Sequence, residues 1–391
     1  MAGPLEGVRV IEVAGVGPVP FAAMLLADMG ADVVRLDRAD AVVARREPSR
    51  DVLLRGRRSL ALDLKHPDAP EVVLQLVERA DVLLEGFRPG VMERLGVGPE
   101  PCCARNPRLV YGRMTGWGQD GPYSRLPGHD VNYIAVAGVL DSLTRRGDVP
   151  MPPLNLVGDF GGGSMFLVFG VMCALFEANR SGQGQVVDAA IVDGAAAMMA
   201  QFYGAIAEGT WRTEPGTNAL DTGSHFYEVY ETADGRFVGV GAAEPKFYAE
   251  LVARLGLTGR IDPLPHQFDE AAWPAMKAHL REIFRTKTRD EWVVVMEGAE
   301  ACVAPVLSMA EAPDDPHARD RQAFVDVHGV VQPAPAPRLS RTSGSIGTPP
   351  AHPGQHSVNV LRDAGFAPDQ VDALLDGGAV VQADDLQVSA Y

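Results

Sequence analysis

Two short stretches hold the residue types best suited to chemistry: PGHDVNY at 127–133 and NLVGDFGGGSMF at 155–166. In the first, His129 and Asp130 follow a Pro-Gly turn and precede a helical pattern. In the second, Asp159 stands just ahead of Gly161, Gly162 and Gly163, which open a strongly apolar run. An imidazole and a carboxylate make a general acid–base pair. Glycines at a helix start leave backbone N–H groups bare, which suits a developing oxyanion. Together they suggest proton transfer at a carbon beside a carbonyl, with an enolate as the charged species. Both stretches also have a structural reading: Asp159 as an N-cap above a glycine turn, and His129 as a solvent-facing side chain. Spacing alone does not bring the two side chains together.

Other chemistries leave no trace. G-x-S-x-G, H-E-x-x-H and G-x-x-x-x-G-K-[ST] are absent, and the four cysteines form no C-x-x-C pair, so no metal site is expected. Residues 9–38 read as strand, glycine turn, helix and strand, with Gly15-Val16-Gly17 at the turn and Asp37 at the end of the second strand. That is a βαβ unit carrying part of a dinucleotide fingerprint. Pro20 stands where the third glycine belongs, and Arg38 directly follows the acid, so nicotinamide binding is the weaker expectation.

The elements that must position these residues follow from pattern. Up to about residue 193, strand signals (SLALDL, ADVLLEGF, RLVYGRMTGWG) alternate with helical ones, which predicts a parallel sheet covered on both faces. A helix is expected across 194–224, leading out of that domain. Residues 225–325 read as a smaller α+β domain, opened by a hairpin around Ala233-Asp234-Gly235. The proline-rich piece at 331–353 precedes a helix–turn–helix pattern, so 326–391 is expected to return to the first domain.

Net charge is −16 over 391 residues, which disfavours nucleic acid and anionic membranes as partners. The longest apolar run, MFLVFGVMCALF, has 12 residues and is too short to cross a bilayer. No signal-peptide pattern opens the chain, and a cytoplasmic location is expected. Against this acidic background, residues 35–65 carry nine basic side chains (Arg35, Arg38, Arg45, Arg46, Arg50, Arg55, Arg57, Arg58 and Lys65) and five acidic ones. The window reads as a grip for a phosphate-bearing ligand, extended by Arg88 and Arg94.

Taken in order, LEGVRVIEVAGVGPVPFAAMLLADMGADVVRLDR, LDLK, ADVLLEGFRPGVMERLG, RMTGWGQDGP, GHDVNY, NLVGDFGGGSM and SGQGQVVDAAIVDG resemble the CaiB/BaiF, or class III (formyl-CoA transferase-like), coenzyme A enzymes. Within that family, GHDVNYI, NLVGDFGGGSMF and GAAEPKFY resemble its racemases of 2-methylacyl-CoA thioesters. The resemblance implies an α/β fold, with a Rossmann-like large domain, a smaller α+β domain and an interlocked homodimer. It places the adenosine phosphates of coenzyme A near Arg38, Leu62, Asp63, Leu64, Lys65, Gly86, Phe87, Arg88 and Arg94. It makes His129 and Asp159 the acid–base pair and sets Glu244 beside the histidine. Gly128, Asp130, Val131, Asn132 and Tyr133 then form a substrate loop, and Asn155 and Tyr227 line the site. The implied substrate is a 2-methyl-branched acyl-CoA, epimerised at C2 with no cofactor beyond the coenzyme A it carries. The main alternative is a coenzyme A transferase of the same family, in which Asp159 attacks the thioester and forms an anhydride. An NAD-dependent dehydrogenase and a non-catalytic coenzyme A-binding protein are the more distant alternatives.

Overall fold

Six runs of β-branched and leucine residues form a parallel sheet in the computed structural model, which describes residues 3–42 and 49–383. Arg45, Arg46 and Glu47 of the basic window lie outside the described residues. The strands are β1 (Arg9–Val13), β2 (Asp32–Arg38), β3 (Arg57–Leu62), β4 (Val82–Glu85), β5 (Val110–Thr115) and β6 (Val186–Ala190). Their order is β3-β2-β1-β4-β5-β6, and a short β12 (Val380–Val381) adds antiparallel to β3. Both faces of the sheet are covered, which is why its strands are rich in apolar residues, and the charged ones buried among them, such as Glu12 with Arg57 and Glu85 with Arg113, are paired. All six residues of β5 and all four of β4 are buried.

Side chains alternate between two cores. Ile11, Leu36, Leu60 and Leu83 pack with α2 (Ala69–Val77) and with the late helices α14 (Ser357–Asp363) and α15 (Pro368–Asp376). Val10, Val33 and Leu84 pack on the other face, with α1 (Pro18–Asp28) and α7 (Phe166–Ser181). The crossovers also carry α3 (Val91–Arg94), α4 (Pro99–Arg105) and α5 (Asp130–Val136), and α8 (Ile191–Met198) follows β6. The expected α/β class is borne out.

The chain divides into two units, the first made of residues 1–137, 153–198 and 317–391. The second unit takes residues 138–152 and 199–316. Residues 138–152 were expected in the large domain. Instead Arg145 pairs with the buried Glu228 carboxylate (2.9 Å), which Lys277 also reaches at 3.1 Å. The single helix expected across 194–224 is broken at Met199 into α8 and α9 (Ala200–Ala207) and ends there, 208–224 being non-helical, and the boundary between the units falls at the break. The second unit holds the predicted hairpin as β7 (Tyr227–Glu231) and β8 (Phe237–Gly241), joined by β9 (Val303–Pro305). Beside this sheet lie α10 (Pro245–Leu255), α11 (Trp273–Phe284) and α12 (Arg289–Met296), around Tyr230, Phe284 and Trp292. The return begins near 317, ahead of the expected 326. Its proline-rich piece is extended and hydrogen-bonded to the first unit: the Gly56 N–H donates to the Thr348 carbonyl (2.8 Å), and the Ser345 N–H to that of Asp28 (2.9 Å).

Among the described residues of the basic window, Arg35, Arg55, Arg57 and Arg58 brace the fold. Arg55 makes a bidentate pair with Asp28, and Arg57 pairs with the buried Glu12 at 2.6 Å. Arg58 bridges Asp32 and Asp363, and Arg35 meets Asp37 at 3.3 Å. A guanidinium more than nine-tenths buried cannot also hold an external phosphate, so the expected continuous grip is corrected to scattered contributors.

Candidate active site

The strand order reverses between β1 and β4, and ligands of open α/β sheets sit at such a point, beyond the carboxyl ends of the strands. A cavity of about 330 Å³ lies there. It is lined from the turns after β1 (Val16, Gly17), β4 (Gly86, Phe87, Arg88) and β5 (Gly116, Trp117), with His129, Tyr133 and Asp159 completing the wall. The imidazole and the carboxylate thus reach one space from different segments of the chain.

Local structure explains how each gets there. His129 is the residue before α5; its backbone N–H donates to Asn132 Oδ1 (3.0 Å), and its carbonyl accepts from the Asn132 N–H (2.8 Å). The backbone is fixed while the ring is left exposed. Tyr133 is buried, and its ring occupies the space that a side chain on Gly116 or Gly128 would need. Trp117 packs edge-on against it, with ring centroids 4.8 Å apart.

Asp159 was read as a possible N-cap, but it lies inside a helix. The helical turn begins at Leu156 and runs to Met165 with wide, five-residue spacing before continuing as α7. Such π-type turns are rare and cluster at functional sites. Its early turns are tied down by Ser164, whose hydroxyl donates to the carbonyls of Pro18 (2.7 Å) and Asp159 (3.1 Å), and by stacking of Phe160 on Phe21 at 4.4 Å. With this extension the helical segment is 26 residues, long and apolar enough by length and composition to cross a membrane, unlike the 12-residue run expected. It packs along β5 and β6, and only a third of its most apolar window is buried within the single chain.

The glycines after Asp159 do not present amides to the cavity. Gly161, Gly162 and Gly163 are absent from its lining, and the helical ladder uses their N–H groups. Their role is close approach: a Cβ on Gly162 would meet the Ala195 nitrogen and the Ile191 carbonyl, and one on Gly163 would meet Ile191 and Pro18. The expected oxyanion turn is therefore corrected to a packing seam. The positive end of α1, at Gly17 and Val19, faces the cavity instead.

The Asp159 carboxyl is half-buried, and desolvation raises its pKa above the ordinary aspartate value. Asn155 Nδ2 donates to it at 3.4 Å and opposes that rise, as does the His129 ring, while the neighbouring Asp130 charge adds to it. Asp130 does not line the cavity. It is 6% exposed, and its Oδ2 accepts the Asp159 backbone N–H at 2.7 Å. Val131 and Asn132 also stay out of the lining, Val131 on the outer side of α5 and Asn132 as the brace described above. Replacing Asp130 by asparagine keeps an acceptor for that N–H but removes the charge. Ionisation of Asp159 becomes easier, so the acidic limb of the kcat/KM profile is expected to move to lower pH. A limb that stays or moves upward contradicts the assignment.

The remaining expected residues of the first unit form two groups at the carboxyl ends of its strands. Arg88 also lines a neighbouring hollow of about 570 Å³, with Arg94 and Arg125 opposite Asp120. Three guanidiniums against one carboxylate, in a strongly acidic protein, suit a phosphate-bearing ligand. Arg125 was missed; its only sequence signal is a basic residue just before the Pro127-Gly128 turn. Arg38, at the end of β2, pairs with Asp40 and is influenced by Asp63, at the end of neighbouring β3. In the turn there, Asp63 Oδ1 accepts the Lys65 N–H (3.0 Å), while Leu62 is buried and Leu64 packs against the core. Tyr227 and Glu244 belong to the second unit: Tyr227 opens β7, and Glu244 is the exposed residue before α10.

A Rossmann-order sheet with an imidazole and a carboxylate at its switch point, and an arginine-lined hollow alongside, has the make-up of an α/β enzyme that takes an anionic substrate. The chain belongs to CoA-transferase family III, whose model matches residues 5–357. It is 44% identical over 388 residues to the alpha-methylacyl-CoA racemase of Mus musculus, covering 98% of this chain and 99% of that one. The alpha-methylacyl-CoA racemase of Homo sapiens is 42% identical over 394 residues, with 98% and 99% covered. A crystal structure of a CaiB/BaiF family protein from Brucella suis superposes with a TM-score of 0.80, over 93% of this chain and all of that one. At 23% identity it speaks for the fold alone.

Proposed function

We propose that the protein interconverts (2R)- and (2S)-2-methylacyl-CoA thioesters by 1,1-proton transfer. The observation that carries this reading is that His129 and Asp159 line one cavity, fixed by separate elements. Asp159 as carboxylate takes the C2 proton from one face, giving an enolate, and the imidazolium of His129 returns a proton to the other face. In the reverse direction the roles exchange. Burial raises the proton affinity of Asp159, which suits a group that must act as both base and acid. The field at the start of α1 favours the enolate. The thioester carbonyl itself takes up the charge of the C2 carbanion as an enolate, so the proposed scheme uses the two side chains and no cofactor besides the coenzyme A of the substrate.

The nucleotide end is assigned to the arginine hollow and to the Arg38 and Lys65 region, and Glu244 to support of the histidine. The working form we propose is an interlocked homodimer in the cytoplasm. On the single chain, Phe169 and Phe176 of α7 are 69% and 67% exposed, a face that a second copy would cover; sedimentation equilibrium reads this directly. The four cysteines stand as free thiols, in keeping with a reducing compartment.

The family's other reaction supplies the competing reading, with Asp159 as nucleophile. One experiment separates the two: incubate a chiral 2-methylacyl-CoA in deuterated water together with a labelled free carboxylic acid. Racemisation predicts deuterium at C2 with loss of optical rotation and no label in the thioester pool. Label entering that pool with C2 untouched means transfer.

A further inference from the structure

The segment 86–94 supplies residues to both the cavity and the arginine hollow, and one chain of charge spans it. At its start, the Glu85 carboxylate, with no exposure to solvent, accepts the Phe87 backbone N–H at 2.7 Å through Oε2. Its Oε1 accepts Arg113 Nε at 3.0 Å from the neighbouring strand, where Arg113 is the register partner of Glu85. At the far end, Arg113 Nη1 reaches Glu93 Oε1 at 2.8 Å, on the short helix that also carries Arg94. Arg113 is 7% exposed and lines neither hollow.

We infer that Arg113, with Glu85 and Glu93 as its anchors, is a positioning residue for substrate recognition: a strut that sets the loop bearing Arg88 and Arg94 for the phosphates it never touches. An acidic side chain beside a phosphate hollow is unfavourable on charge alone. Glu93 serves this purpose because a forked guanidinium needs a second carboxylate to fix the loop's far end. The inference rests on the reading of the arginine hollow as the seat of the substrate's nucleotide end.

Charge and geometry predict opposite signs, and that gives the test. Glu93 is 44% exposed at its side chain, so Glu93→Ala is suited to folding. If Glu93 acted only as a charge, removing it would strengthen binding of the anionic substrate and lower KM. The strut predicts the reverse: KM for the 2-methylacyl-CoA rises about fivefold with kcat unchanged. The same acyl group on pantetheine, which lacks every phosphate, should show no change in either variable. Arg113→Met should follow the same pattern more strongly, and Arg113→Lys, which cannot span both carboxylates, should not restore it. A KM for the CoA ester that falls or stays level overturns the strut, as does an equal loss on both substrates. A wild-type enzyme indifferent to the nucleotide overturns the reading of the hollow and the strut with it.

Discussion

Replacing Asp159 by asparagine, or His129 by alanine, is expected to lower racemisation about 10²- to 10⁴-fold, the range a positioned acid or base supplies. Binding of the coenzyme A ester should survive, because neither side chain belongs to the arginine hollow. The two variants should also differ from each other. With Asp159 removed, the enantiomer whose C2 proton faces the imidazole can still exchange it with solvent, without inversion; its mirror image cannot. With His129 removed, the preference reverses. A two-base site requires this split, and wash-in of deuterium into each pure enantiomer measures it. Racemisation close to the wild-type rate in either variant rules the scheme out.

The second large effect is on the fold that carries Asp159. Gly194, on α8, faces Gly162 so closely that any Cβ would collide with the Gly162 carbonyl oxygen. Gly194→Ala must push α8 off the wide helical turn, at a cost of about 3 kcal/mol or more. Asp159 lies three residues before Gly162, so activity should fall with stability. Gly204→Ala is the matched control: it is helical, with nothing within 4 Å of the added methyl, and should be neutral or gain up to about 1 kcal/mol. Denaturant midpoints for the two variants test the seam, and equal midpoints contradict it.

The parallel sheet was legible because burial on both faces leaves consecutive apolar residues rather than an alternation, as in Val82, Leu83 and Leu84 of β4. The hairpin at 225–242 was legible for the opposite reason, alternation around a turn residue. The acid–base residues were legible by type, while their meeting depended on a helix that starts earlier than its composition suggests. Gly161, Gly162 and Gly163 misled because a bare backbone serves an oxyanion and a tight helix contact equally well. Which one applies depends on α8, about thirty residues further on. The basic window misled similarly: the carboxylate at Asp363 that holds Arg58 is 305 residues away in the chain, beyond any local pattern. Arg125 carries no motif, and Arg113 opens RMTGWGQDGP with nothing in that stretch to mark its role; only the folded sheet edge gives them meaning.

Besides hydrogen bonds between His356 and Ser59 and between Ser357 and Ala61, the outer edge of β3 is closed by one pair of residues, Val380 and Val381. On the ribosome, the six parallel strands emerge long before that pair does, and nearly two hundred residues of later sequence must be made while the edge is bare. An open strand of this kind invites pairing with other nascent chains. Production of this enzyme should therefore respond to chaperone supply and to slower translation more than its finished stability suggests.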